Sequence, residues 1–226
     1  MGRHTLTPLR RLSEGSRWLQ VCGGVRRAVV LVVGALALCA AAVQPAGASL
    51  DPCPTAPLSH PFLPWLDLGS YSPAPNGGLE DGSTGWTLTG GAAVVRGNEP
   101  FDVGSPTDSS SLAFPAGSSA TSSPTCVGLF DPTIRFFAVN RGSLLSTLKV
   151  EALYTDASGK PRAQMIGQIL GTSAWQPTLP TLILANLAAL PLVTNGQVSV
   201  AFRFTPQGAL GNWQIDDLYV DPLKGS

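Results

Sequence analysis

The cleanest alternation in the chain runs through Val198, Val200, Phe202 and Phe204, with Ser199, Ala201 and Arg203 between them. Successive side chains of a strand point to opposite faces, so this segment predicts a strand with one face in a core. The same period puts Ile134, Phe136 and Ala138 on one face of another strand and Arg135, Phe137 and Val139 on the other, ended by Asn140-Arg141-Gly142. Leu148, Val150, Ala152 and Tyr154 share a face of the next, and the turn Asp156-Ala157-Ser158-Gly159-Lys160 joins it to a strand over residues 164–170. Shorter strands are predicted over residues 92–95 and 111–114. Residues 181–190, bracketed by Pro180 and Pro191, read either as a short helix or as a buried strand with a turn. Asn195-Gly196 signals a hairpin, and Gly211-Asn212 turns into a last strand, residues 213–221.

Near the start of this series lies NGGLEDGSTGW, residues 76–86. Asn followed by two Gly forces a tight turn, because these residues enter left-handed backbone conformations at low cost. A strand is expected after it, with Leu79 inward and Glu80 and Asp81 at its edge, and Trp86 then re-enters the core. This opening hairpin and the closing strand should be neighbours. Short strands separated by Gly, Pro and Asn turns, with almost no helical period, predict an all-β antiparallel sandwich of the jelly-roll kind.

The first 48 residues change the picture. Arg26 and Arg27 precede an apolar run over residues 28–43, followed by Ala46-Gly47-Ala48, which predicts a secretory signal peptide cut between Ala48 and Ser49. The run is shorter than the roughly 18 residues of a spanning helix, so no membrane contact is expected after cleavage. The expected location is extracellular or in a bacterial cell envelope. Residues 1–48 carry six Arg against one Glu (+5), and residues 49–226 carry eight Lys/Arg against thirteen Asp/Glu (−5). The exported part is acidic and has no basic stripe, which argues against a nucleic-acid partner. It holds two cysteines, Cys53 and Cys126, and an even count in an oxidising compartment predicts one disulfide.

Residues 49–75 contain seven Pro and cannot hold a helix or a central strand for long. Phe62, Leu63, Trp65, Leu66, Leu68 and Tyr71 are nonetheless too apolar for a solvated linker. The expectation is an ordered arm docked on the sandwich, with residues 66–71 adding an edge strand. The domain layout is thus 1–48 signal peptide, 49–75 arm and 76–223 sandwich.

The opening motif NGG-L-E together with the closing W-x-I-D-D-L-Y-V resembles the galactose-binding-like jelly rolls, among them many carbohydrate-binding modules, with Leu79 where a Phe is usual. FLPW (62–65), GNEPF (97–101), TIRFF (133–137) and the IDDLYVDP ending also resemble a group of secreted bacterial proteins that share this layout. That second resemblance implies a fold and no activity. The first implies a structural calcium held by Glu80 and one of Asp216 and Asp217, together with backbone carbonyls, a donor set of hard oxygens that suits this ion. Neighbouring residues of a regular strand face opposite ways, so only one of the two aspartates is expected to point inward.

Catalysis finds little in the sequence. His60, in the arm, is the one histidine beyond residue 48, and no Cys/His cluster or phosphate loop occurs. No catalytic residue is therefore assigned. For a sugar ligand, Trp175, Arg135 and Arg203 are the candidates, provided they share an exposed face. The function expected is a secreted, non-enzymatic binding module for extracellular or cell-wall carbohydrate. The alternatives are an interaction protein of the cell envelope without a small ligand and, more remotely, an extracellular hydrolase using two carboxylates across a cleft.

Overall fold

The computed structural model describes residues 57–128, 133–156, 158–183 and 197–221. The alternating segment at 198–204 lies in strand β12 (Gln197–Gln207), whose Val198, Val200, Phe202 and Phe204 are buried. It pairs antiparallel with β8 (Thr147–Thr155), Phe202 opposite Ala152 and Phe204 opposite Val150, so the apolar positions of both strands fall on one face. β2 (Thr87–Thr89), β5 (Ser119–Thr121) and β9 (Pro161–Leu170) complete this sheet in the order β2-β5-β12-β8-β9, and β6 (Thr125–Gly128) also pairs with β12. The predicted 156–160 turn is present. Asp156 Oδ1 accepts the Ser158 and Lys160 amides, and its Oδ2 accepts Arg162 Nε at 2.7 Å.

The facing sheet has the order β10 (Gln176–Pro177), β7 (Thr133–Asn140), β13 (Asn212–Asp221), β4 (Ser110–Pro115) and β3 (Ala93–Arg96). β1 (Ser72–Pro73) pairs with β13 and β11 (Thr181–Leu182) with β7. Leu79, Trp86, Phe114, Phe136, Phe204 and Trp213 are among the side chains that fill the space between the sheets. Every paired strand among the described residues is antiparallel, and the molecule is an all-β sandwich.

Two local expectations are corrected. Residues 79–81 form no strand: residues 75–85 are a run of turns, and Leu79 reaches the core from a backbone at φ 62°. What joins this stretch to β13 is a pair of backbone hydrogen bonds, Ala74 N to Leu218 O and Leu218 N to Gly77 O. The arm's edge strand is β1 rather than residues 66–71, with Tyr71 making only a bridge to Ser59. Of residues 181–190, Thr181 and Leu182 are strand and Ile183 is a buried bend, while residues 184–190 and the Asn195-Gly196 turn lie outside the described residues.

β7 is buried on both faces, all eight residues of it, although its sequence alternates. The inner face meets the core, and the outer face is covered by the arm. A short 3-10 turn (Leu63–Trp65) places Phe62 against Phe137 (centroids 5.5 Å apart), Tyr71 (5.1 Å) and Tyr219 (5.7 Å), with Trp65 edge-on to Phe137 at 5.3 Å. Arg135 is sealed beneath, its guanidinium carbon 4.2 Å from the Phe62 ring centroid. Its Nε donates to Thr178 O at 2.7 Å, and its Nη1 pairs with Asp67, which also accepts the Tyr71 hydroxyl at 2.8 Å.

Candidate functional site

β13 is irregular where it matters most. Its register against β7 slips between Asp216 and Tyr219, and Asp217 has φ 50°. An extra residue in one strand breaks the strict in-and-out alternation. Both aspartates are therefore buried, not one of the pair as a regular strand would require.

Asp216 is internally committed: Oδ1 accepts the Asp217 amide (2.8 Å) and Oδ2 the Glu99 amide (3.2 Å). Glu99 is also buried and accepts the amides of Phe101 and of Val103 (2.7 Å), which curls the 99–103 loop around its carboxylate. Asp217 is different, because its buried Oδ2 accepts no hydrogen bond. A cavity of about 610 Å³ opens beside it, lined by Asp217, Asp108, Glu80, Gly78 and Gly104 among others. A Cβ on Gly104 would stand 2.5 Å from Asp108 Oδ2 and 2.9 Å from Asp217 Oδ1, so the absence of a side chain there leaves the room between the two carboxylates. Glu80 holds the loop that carries Asp108, its Oε1 accepting the Ser109 and Ser110 amides at 2.8 Å each.

None of the ion pairs among the described residues reaches Glu80, Glu99, Asp108, Asp216 or Asp217. Burial, and then the charges of Glu99 and Asp108, push the Asp217 carboxyl up to about 7 against the Gly104 amide. Burial and the Asp217 charge push Asp216 up to about 9. Asp108 is raised as well, by burial and then by Glu80. Buried acids without a cation must take up protons or bind one. Among the described residues no three His, Cys, Asp or Glu side chains converge as a ready chelate. An ion here would rest on Asp217 and Asp108 with backbone carbonyls and water, a mix that calcium accepts. Glu99 and Asp108 escaped the sequence reading, although Glu99 sits in the GNEPF motif (97–101), which carried only a resemblance of overall layout.

The three proposed ligand residues do not share a face. Arg135 is locked under Phe62, and Trp175 is buried in the same aromatic cluster. Arg203 stands on the outer face of the other sheet. Its Nε donates to Glu151 Oε2 at 2.8 Å, while Lys149 Nζ lies 3.2 Å from Glu151 Oε1. The Arg203 hydrogen bond, against burial, holds the Glu151 carboxyl below its usual range. Beside Arg203 lies a cavity of about 570 Å³, lined by Leu153, Ala163 and Ala201 with Thr155, Ser199 and Pro161. His60 is tied down within the arm, its Nδ1 3.0 Å from Gly69 O.

No family model and no curated protein matches the chain. Among solved structures it is similar to a xylan-binding domain of carbohydrate-binding module family 22, at 18% identity over 71% of this chain and 99% of that one, TM-score 0.45. It is also similar to the family 61 module TmCBM61 solved with β-1,4-galactotriose, at 18% identity over 66% and 96%, TM-score 0.40. A third likeness is to the enzymatically active domain of tailspike protein 4 of bacteriophage CBA120, at 19% identity over 66% and 21%, TM-score 0.45. The first two are carbohydrate-binding modules.

Proposed function

We propose that the protein is a secreted, non-enzymatic module that binds extracellular or cell-wall carbohydrate, with calcium in the Asp217–Asp108 cavity as a structural cofactor. The observation that carries the binding reading is the recess beside Arg203. Its floor of Leu153, Ala163 and Ala201 is small and apolar, which lets a sugar ring lie flat against it. Ser199 and Thr155 supply hydroxyls at its side. Arg203, tethered at Nε by Glu151, is held in place with its Nη groups left for a ligand's oxygens. Retention of the protein on a panel of immobilised polysaccharides tests this. Arg203→Ala is expected to weaken binding to the retained glycan about tenfold, the scale of one charge-assisted hydrogen bond, without lowering Tm by more than a few degrees. Failure of every glycan to retain the chain would overturn the reading.

The orphaned oxygen of Asp217 and the uncompensated charge around it support the calcium assignment, with Asp217 and Asp108 as ligands and Glu80 and Asp216 as the groups that position them. We further propose the Cys53–Cys126 disulfide. Cys126 lies in β6, paired through Ser199 to β12, and Cys53 lies outside the described residues. A bridge would tie the start of the arm to the sheet opposite the one it covers. Mass spectrometry of non-reduced peptides is expected to find the two cysteines linked, and two alkylatable thiols would refute the bridge.

A further inference from the structure

The β7–β8 loop and the β12–β13 loop meet at one end of the sandwich and are joined backbone to backbone. Ser143 N donates to Leu210 O at 2.9 Å and Arg141 N to Asn212 O at 2.7 Å. The contact is close enough that a Cβ on Gly142 would stand 2.2 Å from Leu210 O. Asn140 braces the first loop from within, its Nδ2 donating to Ser143 O (2.7 Å) and its Oδ1 accepting the Gly142 amide (2.9 Å). What this rigid pair of loops presents to solvent is apolar: Leu144 is 64% exposed, Leu145 94% and Leu210 72%. Leu170, 77% exposed, ends β9 at the same level, opposite Thr147. Arg141 is the one charged residue in residues 141–146 and 208–212; it is exposed and makes no ion pair among the described residues.

We propose that this end of the molecule is a docking surface for an anionic lipid surface, into which Leu144, Leu145 and Leu210 insert. Single exposed leucines call for no explanation, but three on two fused loop tips form a patch that costs solubility unless it is used. Leu145 at 94% exposure and Leu210 at 72% stand almost free of their own chain, so both side chains can enter an acyl layer. The backbone hydrogen bonds fix the tips in advance, so insertion carries little ordering cost. Arg141 adds attraction to negative headgroups on a part of the chain that is otherwise net acidic. Among the described residues no helix is long and apolar enough to cross a membrane, and the contact needs none, because loop tips reach only the interfacial layer.

The test is co-sedimentation of the protein, in the form isolated from its producing cells, with vesicles of phosphatidylcholine alone or with roughly one third phosphatidylglycerol. Comparison with the triple variant Leu144→Ser/Leu145→Ser/Leu210→Ser in the same chain cancels any lipid contact made by the N-terminal apolar run. The anionic vesicles are expected to bind the wild type at least tenfold better than the triple variant. Arg141→Gln should weaken that binding about fivefold and leave binding to neutral vesicles unchanged, the effect of one basic residue near a charged surface. Unchanged Tm and glycan retention in both variants would show that they fold. Equal vesicle binding by wild type and triple variant overturns the proposal. So does a concentration-dependent dimer that the triple variant abolishes, because the leucines would then serve a second copy.

Discussion

Phe62→Ala is expected to destabilise the protein by about 5 kcal/mol, the upper end of the range for truncating a buried Phe. The side chain is fully buried and its ring touches three others, Tyr71, Phe137 and Tyr219. It is also the roof over Arg135, so its loss leaves a cavity and admits water to a buried ion pair at the same time. Asp67 shows how finely that pair is held: burial alone would raise its carboxyl, but the Gly69 amide, the Tyr71 hydroxyl and Arg135 together hold it below the ordinary value. Each kcal/mol corresponds to roughly 2–4 °C for a domain of this size, so Tm should fall by about 10–20 °C. Leu66→Ser, four residues along the same arm at a side chain 91% exposed, should leave Tm within a degree or two. Thermal melts of the two variants decide the matter. Equal, small effects would mean that the arm contributes nothing to the sandwich.

The contrast between Phe62 and Leu66 also marks what the sequence could show. Alternation in 134–139, 148–154 and 198–204 named the strands correctly, because burial of one face is enough to impose period two. It could not show that Arg135, Phe137 and Val139 would be covered as well, since that depends on a Pro-rich segment some seventy residues earlier folding back over β7. Arg135 read as a surface cation for the same reason. The acidic site was legible at Asp217 and hidden at Glu99 and Asp108, which approach it on loops without period. The bulge that turns both Asp216 and Asp217 inward leaves no mark in the letters IDD. A register slip depends on the hydrogen bonds of neighbouring strands rather than on local propensity. The recess beside Arg203 has a comparable origin, because its floor joins Leu153, Ala163 and Ala201 from three strands that only pairing makes adjacent.

The acidic site yields the other large effect, a stability that falls as pH rises when calcium is withheld. Asp217 and Asp216 have carboxyls pushed up to about 7 and about 9 in the folded protein, mainly by burial, against about 4 in an unfolded chain. Between those values the folded state keeps protons that the unfolded state has lost, and linkage then makes unfolding easier with each step up in pH. Each group contributes up to about 1.4 kcal/mol per pH unit, so in chelator Tm should drop by about 10 °C between pH 5 and pH 7. The depressed acids Asp67, Glu151 and Asp156 act in the opposite sense, but only below the ordinary carboxylate range. On the proposed assignment, calcium would replace the protons. Millimolar calcium should therefore raise Tm strongly at pH 8, weakly at pH 5, and flatten the slope between them. Asp217→Asn removes the titrating group and a ligand together, so it should lose the calcium response and much of the slope while folding normally at pH 7. Gly104→Ala keeps every acid but fills the space between Asp108 and Asp217, and it should lose the calcium response while the slope in chelator persists. A melt that is flat from pH 5 to pH 8 in chelator and indifferent to calcium would show that these carboxylates are neutralised by neither protons nor an ion. The assignment of this pocket would fall with it.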